Sequence, residues 1–143
     1  MAQELFPIGN AEITAPTGWC EVSKETERMV LRSLDGHQQA TISTLGFSAD
    51  VSFDNFKRLC VHRLEAEKKG FVDGFVRPQA PFDASGVFGM LFSGGENQNR
   101  RVFSGYLSLA KKELITIYVE GVGIAPKEHL ESFKAFVNGL SRK

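Results

Sequence analysis

The sequence predicts an α+β protein, one antiparallel β-sheet with two main helices packed on it. Three observations lead there. Extended runs follow one another in series, helical spacing of apolar residues occurs in only two places, and residues 101–121 read as two apolar strands folded back at Ala110-Lys111-Lys112-Glu113.

The elements follow in order. Residues 11–15 form a short extended run, stopped where Pro16 removes a donor and Gly18 permits a turn. Residues 29–34 and 40–45 read as a strand pair joined through Asp35-Gly36-His37. From Ser52 the period changes: Phe53, Phe56, Cys60 and Leu64 recur at helical spacing. Ser52 suits the N-cap, Asp54 the positive first turn and Gly70 the stop. Residues 71–77 have strand character until Pro78 and Pro81 interrupt it. Val87 to Phe92 opens a meander of about three strands that passes through the loop 93–100 into the 101–121 hairpin. Pro126 starts the second helix, with an apolar stripe of Leu130, Phe133, Phe136 or Val137, and Leu140, and with Lys143 at its negative end.

The 143 residues, with no repeat or linker, predict a single domain over 1–143. Seventeen basic and seventeen acidic residues balance, and the basic pairs are scattered, so the chain is not expected to bind nucleic acid. No apolar segment approaches the ~20 residues of a membrane span, so no stable membrane insertion is expected. The amino terminus as it stands is not a signal peptide, which predicts a cytoplasmic protein. Cys20 and Cys60, with no neighbouring ligand spacing, read as two reduced, packed thiols.

Catalytic signatures fail on inspection. Glu120 to Pro126 contains Gly-x-Gly before a helix but lacks the third glycine and any following strand of a βαβ unit. Gly46 to Asp50 has aspartate where a nucleophile elbow needs its second glycine, leaving Ser48 a loop residue. His37, His62 and His129 have no partner histidine at i+3 or i+4 and read as solvated side chains, and Trp19 reads as a core anchor. The expectation is a non-enzyme with no catalytic residue, no metal and no cofactor.

What the sequence does offer is an excess of apolar surface. Both strands of the 101–121 hairpin carry apolar side chains on both faces, whereas a sheet covered on one side alternates. Either the amino-terminal segment or a twin subunit closes the second face, or a ligand does. The register depends on the turn: a two- or four-residue loop pairs Tyr106 with Ile117, a three-residue loop pairs it with Thr116 or Tyr118, and the missing glycine favours the longer loops. The expected exposed wall is Tyr106, Tyr118 and Thr116, with Met90 and Phe92 from the neighbouring strand: tyrosine brings apolar area with a polar tip, methionine repacks against varied partners.

Pro16-x-Gly18-Trp19, the Phe53-x-x-Phe56 helix ending in Gly70-Phe71, and the Arg101-Val102-Phe103 strand give the chain a resemblance that spans nearly its whole length. It resembles the Mog/PsbP-like sandwich, and within it the bacterial domain-of-unknown-function family that includes the Eag chaperones of type VI secretion effectors. The second early strand ends Thr44-Leu45-Gly46-Phe47-Ser48, a departure from the chaperone pattern. The resemblance implies a homodimeric, non-catalytic chaperone or adaptor that cradles apolar segments of an effector on a sheet surface opposite its packing helices. The alternatives are an immunity protein that neutralises a folded toxin through a charged loop such as Gly94 to Arg100, and a small enzyme with a dispersed site.

Overall fold

The computed structural model describes residues 5–69, 75–96, 101–110 and 112–142. The chain runs β1 (Leu5–Ile8), β2 (Ala11–Thr14), β3 (Trp19–Lys24), β4 (Arg28–Ser33), β5 (Gln38–Gly46), α1 (Phe53–Lys69), β6 (Phe75–Pro78), β7 (Phe82–Ala84), β8 (Val87–Glu96), β9 (Arg101–Ala110), β10 (Glu113–Val122), α2 (Pro126–Asn138) and β11 (Leu140–Arg142). The large sheet has the order β3-β4-β5-β10-β9-β8-β6, with β7 also paired to β8. A second, three-stranded sheet has the order β1-β2-β11. The described strand pairs are antiparallel. The class is the α+β sheet-and-two-helix arrangement expected.

Local sequence places the helices. The Ser52 hydroxyl accepts from the Asn55 amide at 3.2 Å, and α1 then buries Phe56, Cys60 and Leu64, one turn apart. They pack on Met90, Phe92, Phe103, Leu107 and Leu109. Pro126 opens α2, whose buried side chains are His129, Phe133 and Phe136. Leu130, expected in that stripe, is 41% exposed, and His129, expected in solvent, is 3% exposed. The helix is rotated so that the His129 ring reaches the Ser104 hydroxyl at 3.0 Å. Gly70, Lys111, Lys143 and residues 71–74 and 97–100 lie outside the described residues.

The two helices take opposite faces of the large sheet. Ile115, Ile117 and Val119 share one core with Phe133 and Phe136 of α2 and with Phe6, Ile8, Ala11 and Ile13 of the small sheet. Trp19 meets Phe136 edge-on at 4.8 Å, the anchoring role expected of it. Leu107, Leu109 and Leu114 turn to the other core, under α1. The hairpin's second face is therefore covered by the chain's own first helix, where the sequence left it for a guest, a twin or a terminal segment.

The register also differs from the favoured one. Ala110 pairs with Glu113, Leu107 with Thr116 and Tyr106 with Ile117, so two residues make the turn. Lys112 adopts φ 66, the left-handed conformation a glycine would normally supply, and its carbonyl accepts from the Phe47 amide at 2.8 Å. The end of this hairpin is also where the small sheet attaches. Glu113 accepts from the Asn10 amide at 3.1 Å, and Arg142 donates to the Ser108 carbonyl at 2.7 Å and its hydroxyl at 3.0 Å.

Gly105 faces Phe92 across β8 and β9, and a Cβ there would collide with the Phe92 ring. Gly105→Ala is expected to cost about 1–3 kcal/mol in urea unfolding. Phe92→Ala is expected to cost about 3–5 kcal/mol. The double variant should cost clearly less than the sum, because removing the ring frees the space; strict additivity would contradict this packing.

Candidate functional site

The five residues expected to form one exposed wall are not brought together on a surface. Met90 and Phe92 are buried beneath α1. Tyr118 lies in the same core, stacked on Phe103 at 5.9 Å between ring centres. Thr116 is buried too, at the edge of that core. Tyr106 is on the other face, against the α2 core, because it sits opposite Ile117 and directly opposite residues share a face. Alternation thus separates Tyr106 from the other four, and α1 covers what would have been their wall.

Among the described residues, the more open part of that face is the rest of it. The first helix packs on β6 and β8 and shares a core with β9 and β10. On β4 and β5 the same face carries Arg28, Val30 and Arg32, then Gln39, Thr41, Ser43 and Leu45. Arg28 and Arg32 are exposed, Val30 is buried, Gln39, Thr41 and Ser43 are half-buried, and Leu45 is 54% exposed. With the edge strand β3 beside them, β4 and β5 at ~4.8 Å spacing make a shelf roughly 10–14 Å wide, the diameter of one helix with its side chains.

A groove runs where the shelf meets α1. Its floor is Leu107, Leu114 and Thr116, its wall is Phe56, Leu59 and Ala66, and it encloses about 280 Å³. At the amino-terminal end of α1 it continues past Leu59 and His62 into a second depression of about 540 Å³ bounded by Phe47 and Val51. Leu45 pairs with Leu114 and extends the apolar strip onto the shelf. Arg28 from β4, on the same rung as Ser43, Thr116 and Leu107, and Arg58 and Arg63 from α1 stand beside the strip, whereas Arg32 lies on the rung of Gln39 and Glu120, about 20 Å along β5 from Leu45. Arg32 donates to Gln39 at 3.3 Å and Arg63 pairs with Glu67 at 3.1 Å. Of these groove residues only Thr116 was expected at a binding surface from the sequence. Leu45 ends a strand and Leu59 falls beside the α1 stripe, so spacing alone marks neither as surface.

Burial dominates the titration of the groups around these cores. It pushes the Tyr118 phenol well above its usual range, with Glu67 and Glu120 adding to the rise. The Cys60 thiol goes up to about 11 for the same reason. Cys20 is exposed, so only one of the two free thiols is packed. His129 moves the other way, to about 4, because desolvation disfavours the imidazolium. Among the described residues there is no group of three or more His, Cys, Asp or Glu side chains able to hold a metal ion. No helix among the described residues is long and apolar enough to cross a membrane.

No protein-family pattern matches the sequence, and no curated protein matches it. Solved structures do. The solution structure of cyanobacterial PsbP (CyanoP) from Synechocystis sp. PCC 6803 superposes with a TM-score of 0.71 at 13% identity, covering 94% of this chain and 87% of that one. A Pseudomonas aeruginosa protein of unknown function, described as a putative regulator, gives 0.57 at 10% identity over 99% and 97% of the two chains. A crystal structure from Bacteroides thetaiotaomicron gives 0.52 at 11% identity, this chain spanning 49% of it. At such identities the likeness shows the fold alone. The fold is PsbP-like, an α+β sandwich.

The buried histidine gives a pH prediction. The unfolded chain takes up its proton near 6.5 and the folded one only near 4, so the His129 contribution to stability is intact above 6.5 and is lost as pH falls toward 4. The loss is on the order of 3 kcal/mol, at 1.36 kcal/mol per pKa unit. Urea unfolding of wild type and His129→Gln between pH 7 and 4 should show a steeper decline for wild type; parallel declines would contradict it.

Proposed function

We propose that this chain is a non-catalytic protein-binding module that holds an amphipathic helical segment of its partner on the shelf beside α1. The carrying observation is the apolar strip of Leu45, Leu59, Leu107 and Leu114, with Arg28 on its β4 side and Arg58 and Arg63 on its α1 side. A helix in a groove is recognised through anchors spaced three and four residues apart, and Arg28, Arg58 and Arg63 beside the strip favour acidic flanks on that helix. The expected partner is thus a segment with a leucine-like stripe and Asp or Glu beside it.

The finer reading is a chaperone or adaptor for a type VI secretion effector, working in the cytoplasm as a homodimer. Its support is the sequence resemblance to the family of Eag chaperones together with the PsbP-like fold. The cradle moves in this reading from the hairpin to the uncovered strands β3, β4 and β5, since the hairpin's own faces are occupied.

Titration of labelled protein with a designed 18-residue amphipathic peptide tests the groove, in Glu-flanked and Lys-flanked versions. The Glu-flanked peptide should shift amides along β5, β10 and the α1 flank, and Leu45→Asp or Arg58→Glu should each weaken it about tenfold, a loss of ~1.4 kcal/mol. Equal binding of both peptides, or shifts confined to other surfaces, would overturn the groove. For the effector reading, an effector with apolar amino-terminal segments encoded beside this chain should lose solubility when the chain is deleted; unchanged solubility contradicts it, as a sedimentation mass of one chain contradicts the dimer.

A further inference from the structure

The groove beside α1 and the small sheet lie on opposite sides of the large sheet, and one side chain of the small sheet reaches the end of the hairpin that both share. We propose that Arg142 is a positioning residue for the groove: it staples shut the last rung of the β9–β10 hairpin, and that rung sets Leu114 and Phe47 at the groove's edge. The positioning role rests on the partner-binding reading, whereas the staple rests on contacts within the chain. The turn it closes is one that its residue types do not favour. Ala110 pairs with Glu113, which leaves two residues between the strands, and Lys112 sits at φ 66. A residue with a Cβ is strained in that left-handed region, where hairpins of this length carry Gly, Asn or Asp. A longer loop would relieve the strain by opening the Ala110–Glu113 rung, so the observed turn needs something to hold the rung closed.

Arg142 is placed to do so. Strand β11 seats it opposite Ala11, and its Nη1 donates to the carbonyls of both Ala110, at 3.4 Å, and Glu113, at 3.3 Å, one on each strand of the closing rung. Its Nη2 holds the Ser108 carbonyl at 2.7 Å and the Ser108 hydroxyl at 3.0 Å, two residues back along β9. A guanidinium presents its five N–H donors in a fixed planar fork, which lets one side chain grip both strands at once. The Glu113 carboxylate lies 3.9 Å from it and accepts from the Asn10 amide, so the same rung is tied to the turn between β1 and β2.

From the rung the effect crosses the sheet. Successive strand residues point to opposite faces, so Glu113 turns toward Arg142 while Leu114 turns to the groove. The Lys112 carbonyl accepts from the Phe47 amide at 2.8 Å, and Phe47 bounds the groove's second depression. Leu45 pairs with Leu114 and Gly46 with Glu113 on the same stretch. The apolar strip therefore ends on a turn that is fixed from the other side of the sheet. Opening the rung displaces Leu114 and releases the Phe47 amide together, and a slip of one residue would turn Leu114 away from the groove.

Two readings on the full-length protein test this, hydrogen exchange at the Phe47 amide and affinity for the Glu-flanked peptide. Arg142→Gln should speed the Phe47 exchange about tenfold and weaken the peptide about fivefold. Lys112→Gly, which removes the strain in the turn, should alone leave the affinity unchanged. Added to Arg142→Gln, it should bring both readings back to within about twofold of wild type. A residue that only docked the small sheet would show no such rescue. Arg142→Lys keeps the charge without the fork and should give the same pattern at smaller amplitude, which serves if the glutamine variant does not fold. Unchanged exchange at Phe47, or a loss of affinity that Lys112→Gly does not reverse, would overturn the proposal. Wild-type protein that binds neither peptide would defeat the partner-binding reading and the positioning role with it, while the Phe47 exchange still decides whether Arg142 holds the turn.

Discussion

The structure is organised by one requirement, that the hairpin of β9 and β10 be kept from water on both faces. Ile115, Ile117 and Val119 leave one side of it, and Leu107, Leu109, Leu114 and Tyr118 the other. Each square ångström of that apolar surface kept from water is worth roughly 25 cal/mol, so neither face can be left bare in a stable fold. One helix cannot serve both sides. The chain therefore divides its helices, α1 to one face and α2 with the small sheet to the other, and the hairpin becomes the middle layer of a sandwich.

The candidate groove follows from that division by simple geometry. A helix about 10–12 Å across hides two or three strands of a sheet whose spacing is ~4.8 Å, and the large sheet is wider than that. Because α1 lies toward β6 and β8, the more open strip among the described residues falls on β4 and β5. That strip borders the apolar flank of α1 where Leu45 meets Leu114, with Arg28 and Arg58 beside it.

Much of this frame can be read from the sequence, and the failures have specific causes. Phe53, Phe56, Cys60 and Leu64 announce α1, and Ser52 caps it as its residue type suggests. The pair β4 and β5 and the meander of β8, β9 and β10 also follow from their apolar runs. Strand β3 escapes notice because it is an edge whose side chains past Trp19 are all exposed, with a bulge between Glu21 and Ser23 that breaks alternation. The spacing of a helix tells which of its faces is apolar but never which face of the sheet it will cover, and that is why Met90, Phe92 and Thr116 read as a free wall. Lys112 hides a two-residue turn behind a residue type that rarely takes a positive φ. His129 hides because a lone histidine beside a leucine gives no periodic sign of which one turns inward.

The placement of α1 over the hairpin is the central claim, and the protein carries its own probe. Cys60 is buried under that helix with its thiol pushed up to about 11, while Cys20 is exposed on β3. Thiol labelling of the folded, full-length chain, followed residue by residue by mass spectrometry, should modify Cys20 promptly and Cys60 only in step with unfolding by urea. Modification of both cysteines at comparable rates in native buffer would mean that α1 does not close the second face, and the account would be wrong.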